Sequence, residues 1–556
     1  MYNRPLINND GHIYGLVHGG FLQNISARTG SALSYQKLEQ RLSAIIDSAK
    51  VGTLSQSKIG IEKESLRAAE TGGISQTPHP QSLGSPLTNP YITTDFSEAM
   101  MELITPPCDS VEQALDFLND LQVFVYSQLR EEILWATSMP CVVESGDSIP
   151  VAQYGKSNAG MMKTVYRRGL GYRYGRTMQV IAGVHFNYSF SDNFWAMYQD
   201  IEKDKQQRQS FISDQYMCLI RNMLRYGWLI PYLFGASPAV CKSFLHGKPS
   251  LLSSFNENTV YEPYATSLRM GDIGYTNNKE SMAGIKANYD SLDTYIESLR
   301  CAIETPFDEY EKIGVKVDGE YRQLNANILQ IENEYYSTVR PKQVLLDNEK
   351  PTNALEQRGI EYIEIRSIDV NAFDPLGINE EQLRFLEIFV LFCLLQESPA
   401  LSPNEINEID MNLVQVAHMG REPGIRLSCN DESIELRQWA SELLAAMQGV
   451  AQLLDDAHDS KSYTESLGSQ LDCVLDPAMT TSARMLEEMR ENDEGFYHFA
   501  RRMSLEHHNY FNTLALTEDR KRQFEQAAND SIALQLAIEA DDTIDFDEYL
   551  RRYFAQ

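Results

Sequence analysis

The sequence lacks a long apolar run and lacks an excess of basic residues. Its most apolar stretch, Ile388 to Leu395, is too short to span a bilayer, so we expect a buried helix segment and no membrane role. The formal net charge of the 556 residues is -30, which argues against nucleic-acid binding because contact with phosphates requires a basic surface. An anionic substrate would therefore need a local binding site that supplies arginine, lysine or a metal ion.

Cysteine motifs and the pattern of a signal peptide are also missing. The eight cysteines are scattered, without a C-x-x-C pair or a spacing typical of zinc sites, and this pattern predicts reduced thiols in a cytoplasmic protein. Residues 1 to 35 do not contain a basic stretch followed by an apolar core, so they do not resemble a signal peptide. We interpret them as an N-terminal extension.

Several familiar catalytic motifs are absent. The sequence contains neither G-x-x-x-x-G-K-[ST] nor G-x-G-x-x-G, and it contains neither H-E-x-x-H nor G-x-S-x-G. If a nucleotide binds, its phosphates would be held by metal ions and arginine rather than by a glycine-rich loop.

The composition, 43% hydrophobic and 23% charged, is ordinary for a protein with a large core. A helix is predicted from Ser34 to Lys50, and strand-like and looped sequence dominates from there to about residue 375. Beyond Asn379, long stretches rich in Leu, Ala and Glu predict helices at Glu380 to Gln396, Ser433 to Ala457, Met479 to Met503 and Arg520 to Glu539. We expect an α+β catalytic body over residues 36–378 and a helical C-terminal part over 379–556 packed on it.

The most informative residues are Glu62 and Glu64, which lie two apart in an alternating, strand-like run. Alternate side chains of a strand point to the same face, so the two carboxylates lie roughly 7 Å apart there. Like charges at that distance favour a cation between them. A solvated edge strand with two surface acids is the ordinary alternative.

Two further runs repeat the pattern. Val184 to Phe190 places His185, Asn187 and Ser189 on one face, and Tyr362 to Ile368 places Glu364 and Arg366 together, in each case with apolar residues opposite. Three strands with one apolar and one polar face predict a shared site.

Asp95 and Glu102, in the segment 93–106, enlarge the set of acids. Asp95 could equally cap a helix or turn, Glu102 could be a partly exposed strand residue, and His185 could be structural. Taken together with Glu62, Glu64 and Glu364, however, these acids and one imidazole favour Mg²⁺ or Mn²⁺ over zinc, since hard cations prefer oxygen ligands.

A basic and aromatic segment, residues 163–176, contains five cations and no acid. Arginine offers a planar fork of donors, so the cluster suits recognition of carboxylate or phosphate. An exposed helix face that pairs with surface acids is the alternative. Arg269 and Tyr275 repeat the combination of arginine and tyrosine on a predicted loop.

Eight segments carry a resemblance to one known family. They are Gly60–Arg67, Ile92–Phe96, Ser138–Cys141, Gln153–Gly155, Arg173–Gly175, Gly183–Asn187, Pro231–Pro238 and Gly359–Arg366. In order and approximate spacing they resemble the proteobacterial glutamate-cysteine ligases, over most of the chain from about residue 50 to at least 430. The resemblance implies a glutamine-synthetase-like, curved and largely antiparallel sheet that binds ATP, metal ions and amino acids.

The resemblance also implies roles for single residues. The metal shell would be Glu62, Glu64, Asp95, Glu102, His185 and Glu364. Asn187 and Arg366 would contact the nucleotide phosphates, with Glu364 and Arg366 nearest the chemistry. The cysteine-side pocket would contain Tyr166, Leu170, Tyr275 and Tyr336, with Arg167 and Arg269 as carboxylate clamps and Gln179 nearby.

The implied reaction joins glutamate to cysteine with ATP, through γ-glutamyl phosphate, as the first step of glutathione synthesis in the cytoplasm. The substrates would be its small-molecule partners, and the protein a monomer or small oligomer. Three alternatives stay open: a ligase that uses another amine, a two-carboxylate glycoside hydrolase, and a non-catalytic metal-dependent sensor. The retained Glu364 and Arg366 disfavour the sensor.

Overall fold

The computed structural model describes residues 35–140, 142–245, 250–274 and 286–556. Its centre is a seven-stranded sheet in which all strand pairs are antiparallel. The strands of the described residues are β1 (Lys58–Ala69), β2 (Ile92–Thr94), β3 (Met100–Ile104), β4 (Glu132–Leu134), β5 (Val184–Ser189), β6 (Ala239–Cys241), β7 (Ser253–Ser254), β8 (Thr259–Tyr261), β9 (Lys316–Val317), β10 (Glu320–Tyr321), β11 (Val339–Lys342), β12 (Tyr362–Ile368), β13 (Arg426–Cys429) and β14 (Glu432–Glu435).

Helices surround this sheet. Those of the described residues are α1 (Gln36–Asp47), α2 (Val111–Gln128), α3 (Asn158–Tyr174), α4 (Asp192–Glu202), α5 (Arg208–Tyr226), α6 (Leu229–Phe234), α7 (Leu292–Glu304), α8 (Asp308–Glu311), α9 (Pro351–Arg358), α10 (Glu380–Leu395), α11 (Pro403–Met419), α12 (Leu436–His458), α13 (Ser462–Leu475), α14 (Thr481–Glu491), α15 (Phe496–Asn512), α16 (Glu518–Asp541) and α17 (Phe546–Phe554). Short 3₁₀ turns occur at Val51–Gln56, Gln81–Leu83, Gly146–Ser148, Met178–Val180, Lys242–Leu245, Leu268–Met270, Glu332–Glu334 and Pro477–Met479.

The order of the main sheet is β11-β12-β5-β1-β3-β2, and β4 pairs with the far end of β1. The three strands predicted from alternation, β1, β5 and β12, are therefore neighbours at its centre. Their apolar side chains, such as Ile61, Phe186 and Ile365, are completely buried. The opposite face of the same strands carries the polar residues, so the predicted largely antiparallel sheet with one polar face is confirmed.

Helices also occupy much of the region before residue 375, where strand-like and looped sequence was expected, and that expectation is wrong. Val111–Gln128, for example, begins at Ser110, whose hydroxyl accepts a hydrogen bond from the backbone N–H of Gln113. This helix is buried on several sides, and its apolar residues are therefore spread over more than one helical stripe. A run of that kind does not distinguish helix from strand by periodicity alone.

The C-terminal part contains the expected helices and also the hairpin β13–β14. The predicted helix Met479 to Met503 is two helices, α14 and α15, because the chain turns at Asn492 to Gly495, where Asp493 has a positive φ of 51°. Strands β9 and β10 form a further hairpin, with positive φ at Asp318 and Gly319 as a type I′ turn requires. Among the described helices, none has the length and apolar character needed to cross a membrane.

One continuous apolar core extends from Tyr35 to Phe524 and includes residues of the sheet and of the C-terminal helices. Helix α10 is buried from Gln382 to Leu395, with Phe385, Phe389 and Phe392 fully enclosed. The division into a catalytic body over 36–378 and a helical part over 379–556 stays a prediction.

Candidate active site

Strand register brings the predicted acids to one face of the sheet. Glu62 on β1 lies directly opposite His185 on β5, and Glu64 lies opposite Glu102 on β3. On the other side of β5, Asn187 lies opposite Glu364 on β12. Because directly paired residues of an antiparallel sheet share a face, the side chains converge without any loop having to carry them.

Glu62, His185 and Glu364 form the tightest group. One ligand atom from each lies within 4.8 Å of the other two. The Nδ1 atom of His185 is 3.1 Å from Oε2 of Glu62 and 3.9 Å from Oε1 of Glu364, while its Nε2 atom is 3.8 Å from Oε1 of Glu64. Two carboxylates and one imidazole at these separations are a donor set that a single cation could bridge.

The carboxyl groups nearest β3 are buried close to one another, and this disfavours their charged forms. Burial, and then the charge of Asp95, raises the pKa of Glu64 to about 8. Enclosure in the cavity, together with Glu62, Asp95 and Glu64, raises the pKa of Glu102 well above its usual range. Without a cation these carboxyl groups hold protons, so this part of the cavity favours positive charge.

Glu364 has the opposite environment. Burial by itself would raise its pKa, but Lys342 and Arg366 outweigh burial and hold the pKa well below the usual range. The Nζ atom of Lys342 lies 3.1 Å from Oε1 of Glu364, and Nη1 of Arg366 lies 3.2 Å from Oε2. Cations on β11 and β12 thus lie at one end of the site and the unneutralised acids at the other.

His185 is neutral in this arrangement, because burial, and then the nearby Arg366, lowers its pKa. A neutral imidazole is the form that binds metal. Burial alone would raise the pKa of Glu62, but the hydrogen bond with His185 lowers it, so Glu62 is a carboxylate. Its other oxygen, Oε1, accepts a hydrogen bond of 2.9 Å from Nδ2 of Asn187.

These groups line a cavity of about 500 Å³, within the range usual for small-molecule sites. Twelve of the residues predicted from sequence lie on its wall: Glu62, Glu64, Asp95, Glu102, Tyr166, Arg167, Leu170, Gln179, His185, Tyr336, Glu364 and Arg366.

Residues 163–174 of the basic segment belong to helix α3, one face of which lines the cavity, and Arg176 follows the helix. Only two of its five cations, Lys163 and Arg167, are on the cavity wall. The guanidinium of Arg167 lies 4.6 Å from the centre of the Tyr154 ring and donates to the backbone carbonyl of Asp95. Arg173 is instead buried in an ion pair of 2.8 Å with Glu334. The segment therefore serves both the cavity and the structure.

Three predicted residues do not lie on the described cavity wall. Asn187 is behind Glu62, and its buried Oδ1 atom has no hydrogen-bond partner within the described residues. Arg269 is almost fully buried behind Arg366, donates to the backbone carbonyl of Arg366 at 2.8 Å and lies 3.6 Å from Asp369. Tyr275 lies outside the described residues.

Sequence reasoning missed the cations of β11. Arg340 lies opposite Glu364 in the strand pairing, and both Arg340 and Lys342 line the cavity. The signal was present, because Arg340 and Lys342 are two residues apart, as are Glu62 and Glu64. Pro341 between them weakens the strand pattern, since proline is confined to sheet edges, which is where β11 lies.

An antiparallel sheet with a face of carboxylates and arginines, and without a glycine-rich phosphate loop, has the features of an ATP-dependent carboxylate-amine ligase. The family model described as glutamate-cysteine ligase matches residues 42–416. The chain belongs to the glutamate-cysteine ligase family.

Individual relatives agree with this membership. A glutamate–cysteine ligase from Alcanivorax borkumensis is 48% identical over 522 residues, covering 93% of this chain and 99% of the relative. One from Pseudomonas paraeruginosa is 46% identical, covering 93% and 98%. A solved glutamate–cysteine ligase from Francisella tularensis, in complex with AMP, superimposes with a TM-score of 0.84 at 36% identity, covering 90% of this chain and 98% of that chain.

Proposed function

We propose that the acid-rich cavity is where this chain joins the γ-carboxylate of glutamate to the amino group of cysteine, with cleavage of ATP to ADP and phosphate. Membership of the family makes the chain an ATP-dependent ligase that forms γ-glutamylcysteine, the first step of glutathione synthesis. The observation that carries the assignment to this cavity is the meeting of Glu62, His185 and Glu364 beside Arg366.

The donor set fits a divalent cation. Glu62, His185 and Glu364 would hold it, and Glu64, Asp95 and Glu102 are the further carboxylates of the same cavity. The raised pKa values of Glu64 and Glu102 support this, because burial, and after it the neighbouring carboxylates, disfavours the charged forms that a cation would stabilise. An oxygen-rich set with one imidazole favours Mg²⁺, with Mn²⁺ as the alternative. When bound, such an ion neutralises charge on the phosphates of ATP.

The reaction needs positioning and charge stabilisation rather than a protein nucleophile. The γ-carboxylate of glutamate attacks the γ-phosphorus of ATP, ADP leaves, and γ-glutamyl phosphate forms. The amine of cysteine then attacks the acyl carbon, and phosphate leaves. Both steps develop negative charge on oxygen, and we assign Arg366 to stabilise it, with Glu364 orienting the guanidinium. The contact of Asn187 with phosphate is proposed on the resemblance alone, since its Nδ2 atom donates to Glu62.

Helix α3 supplies the cysteine side in this proposal. Tyr166, Leu170 and Arg167 project from one face of it into the cavity, with Gln179 and Tyr336 nearby. Arg167 would bind the carboxylate of cysteine, because its guanidinium is already oriented by the Tyr154 ring. Arg269 and Tyr275 keep their proposed roles on the resemblance alone.

The proposed partners are the small molecules glutamate, cysteine and ATP. The seven cysteines within the described residues are free thiols, which supports a reaction in the reducing cytoplasm. We propose a monomer or a small oligomer as the working unit.

The test is release of inorganic phosphate from ATP with glutamate and cysteine present, each omitted in turn. We expect release only when both amino acids are present with Mg²⁺. Release that depends on glutamate and not on cysteine would assign the chain to another amine substrate. Mass spectrometry of the product identifies the amide bond.

A further inference from the structure

The C-terminal helix α17 packs on helix α3 through an apolar cluster that is separate from the main core. The buried members of this cluster are Met162, Val165, Leu324, Phe546, Leu550 and Tyr553. On α17 the three contributing residues are four and three positions apart, so they form a single helical stripe. The stripe faces α3, and the adjoining face of α3 lines the cavity, with Met162 shared between the two faces.

The same cluster reaches a residue of the candidate site. Tyr166 of α3 packs against the cluster and also lines the cavity. The next residue, Arg167, is the proposed carboxylate clamp. A displacement of α3 away from the sheet would therefore move both groups together, because a helix moves as a rigid element.

Helix α17 also reaches the cavity directly. Tyr549 and Tyr553 lie on its wall. The hydroxyl of Tyr549 donates a hydrogen bond of 2.9 Å to Oδ1 of Asn348, and Nζ of Lys350 donates to the carbonyl oxygen of Phe554 at 3.4 Å. These contacts connect α17 with the segment 345–351, which lines the cavity after strand β11.

The connection before α17 holds the first turn of α3. The backbone N–H of Asn158 donates to Oδ2 of Asp542 at 2.5 Å, and its side-chain Nδ2 donates to the carbonyl of Ile544 at 2.9 Å. The C-terminal chain therefore contacts α3 at its beginning and along the face that carries Met162 and Val165, and contacts the opposite side of the cavity through Tyr549.

From these contacts we propose that Tyr553 is a positioning residue for the cysteine site, which acts by holding Tyr166 and Arg167 of α3 in place. Tyr549 completes the arrangement by tying α17 to Asn348. The inference rests on the proposed function. It assigns a specific role in substrate binding to the last helix of the chain, far in sequence from the strands that carry the acids.

The contacts also determine which substrate should bind more weakly when α17 is altered. Tyr553 packs on α3, whereas the groups proposed for metal and phosphate, such as Glu62 and Arg366, lie on strands at the centre of the sheet. Loosening α3 should therefore weaken cysteine binding and leave ATP binding almost unchanged.

The experiment measures KM for cysteine and for ATP in the full-length chain carrying Tyr553→Ala. We expect KM for cysteine to rise about tenfold, below the roughly 100-fold that a misplacement of about 1 Å can cost, because α3 keeps its other contacts. KM for ATP should stay within about twofold of that of the unmodified protein. Tyr553→Phe keeps the ring and its packing and should restore the cysteine KM. Tyr510→Ala, which removes an exposed tyrosine from α15, is the matched control.

A milder variant covers the case in which Tyr553→Ala does not fold. Tyr549→Phe removes only the hydrogen bond to Asn348 and should raise KM for cysteine about threefold, a change that reflects one lost hydrogen bond. An unchanged cysteine KM in the folded variants, or parallel rises for cysteine and ATP, would overturn the inference. Absence of cysteine-dependent phosphate release in the unmodified protein would instead refute the proposed function, so the two failures are distinguishable.

Discussion

The Nδ1 atom of His185 lies 3.1 Å from Oε2 of Glu62, across the β1–β5 pairing in which the two residues are directly opposite each other. The contact is set by strand register, and a shift of one residue would move either side chain to the apolar face. The pair is therefore held by the core of the protein, and the core positions the candidate metal ligands before any ion binds.

Glu62→Gln should weaken binding of a divalent cation, because it removes one carboxylate from the group that converges on His185. We expect an affinity for Mn²⁺ lower by at least about tenfold, the order seen when partners of a metal site are removed. Calorimetry or electron paramagnetic resonance on the full-length protein measures this directly. Glu70→Gln, at an exposed position one residue beyond β1, should leave the affinity unchanged.

Arg366→Ala should abolish most turnover and leave the protein folded. The guanidinium pairs with Glu364 at the position proposed for the transferred phosphoryl group, and loss of such charge stabilisation lowers kcat by about 100-fold or more. Phosphate release measures turnover, and circular dichroism measures folding. The control is Arg130→Ala, an exposed arginine; a folded Arg366→Ala protein with near-normal kcat would contradict the assignment.

Lys342→Met should weaken ATP binding more than amino-acid binding. Lys342 on the edge strand β11 places a positive charge beside Glu364 of β12. Methionine keeps a side chain of similar length and removes the charge. We expect KM for ATP to rise about tenfold, the effect of losing one charged contact to phosphate, and KM for glutamate to change little. Steady-state kinetics with each substrate varied separately distinguish the two effects. A change in KM for glutamate alone would contradict a contact between Lys342 and the phosphates of ATP.

Arg167→Lys should raise KM for cysteine by about tenfold or more, because lysine keeps the charge and loses the planar fork that lies on the Tyr154 ring. KM for ATP should stay close to that of the unmodified protein. Arg168→Lys, on the next residue of α3 but outside the cavity wall, is the matched control. An unchanged KM for cysteine in Arg167→Lys would show that a positive charge alone is enough at this position, and equal rises in both variants would contradict a specific clamp at Arg167.

Stability between pH 4.5 and 7 should depend on Glu387. Burial raises its pKa to about 7, and Tyr463 donates a hydrogen bond of 2.9 Å to it. In this interval the folded state holds a proton that the unfolded state has released, so the group favours folding at low pH and this contribution falls as pH rises. Glu387→Gln keeps an acceptor for Tyr463 and removes the dependence.

The difference in unfolding free energy between Glu387→Gln and the unmodified protein should therefore shift by about 3 kcal/mol in favour of the variant from pH 4.5 to pH 7. Urea unfolding at several pH values measures it. Glu381→Gln, at an exposed position on the same helix, should show no such shift. A pH-independent difference for Glu387→Gln would contradict the expected titration.

Much of the candidate site was predictable because strands make side-chain direction readable from sequence. Alternation in β1, β5 and β12 identified the shared face, and the structure makes these strands neighbours. Lys342 and Arg340 were missed because the strand that carries them is four residues long and contains Pro341. The position of Arg269 behind Arg366 depends on contacts between residues 97 positions apart, and local pattern contains no such information.

The helices before residue 375 were harder to predict than the strands. Helices buried on several sides, such as Val111–Gln128, do not show a clean stripe, and burial is a property of the assembled fold. The role of the C-terminal helix likewise follows only from packing, because nothing in residues 546–554 indicates contact with residues 158–174.

The sequence by itself determined the chemistry of this protein: an acidic chain with carboxylates, one imidazole and arginines in alternating runs, and no phosphate-binding loop. Alternation is a local property of the backbone, so those residues had to share faces wherever strands formed. The tertiary structure decided which faces meet, which arginine lies on the cavity wall and which lies behind it, and that the last helix holds α3. Those outcomes depend on long-range packing, where many distant side chains determine one position together.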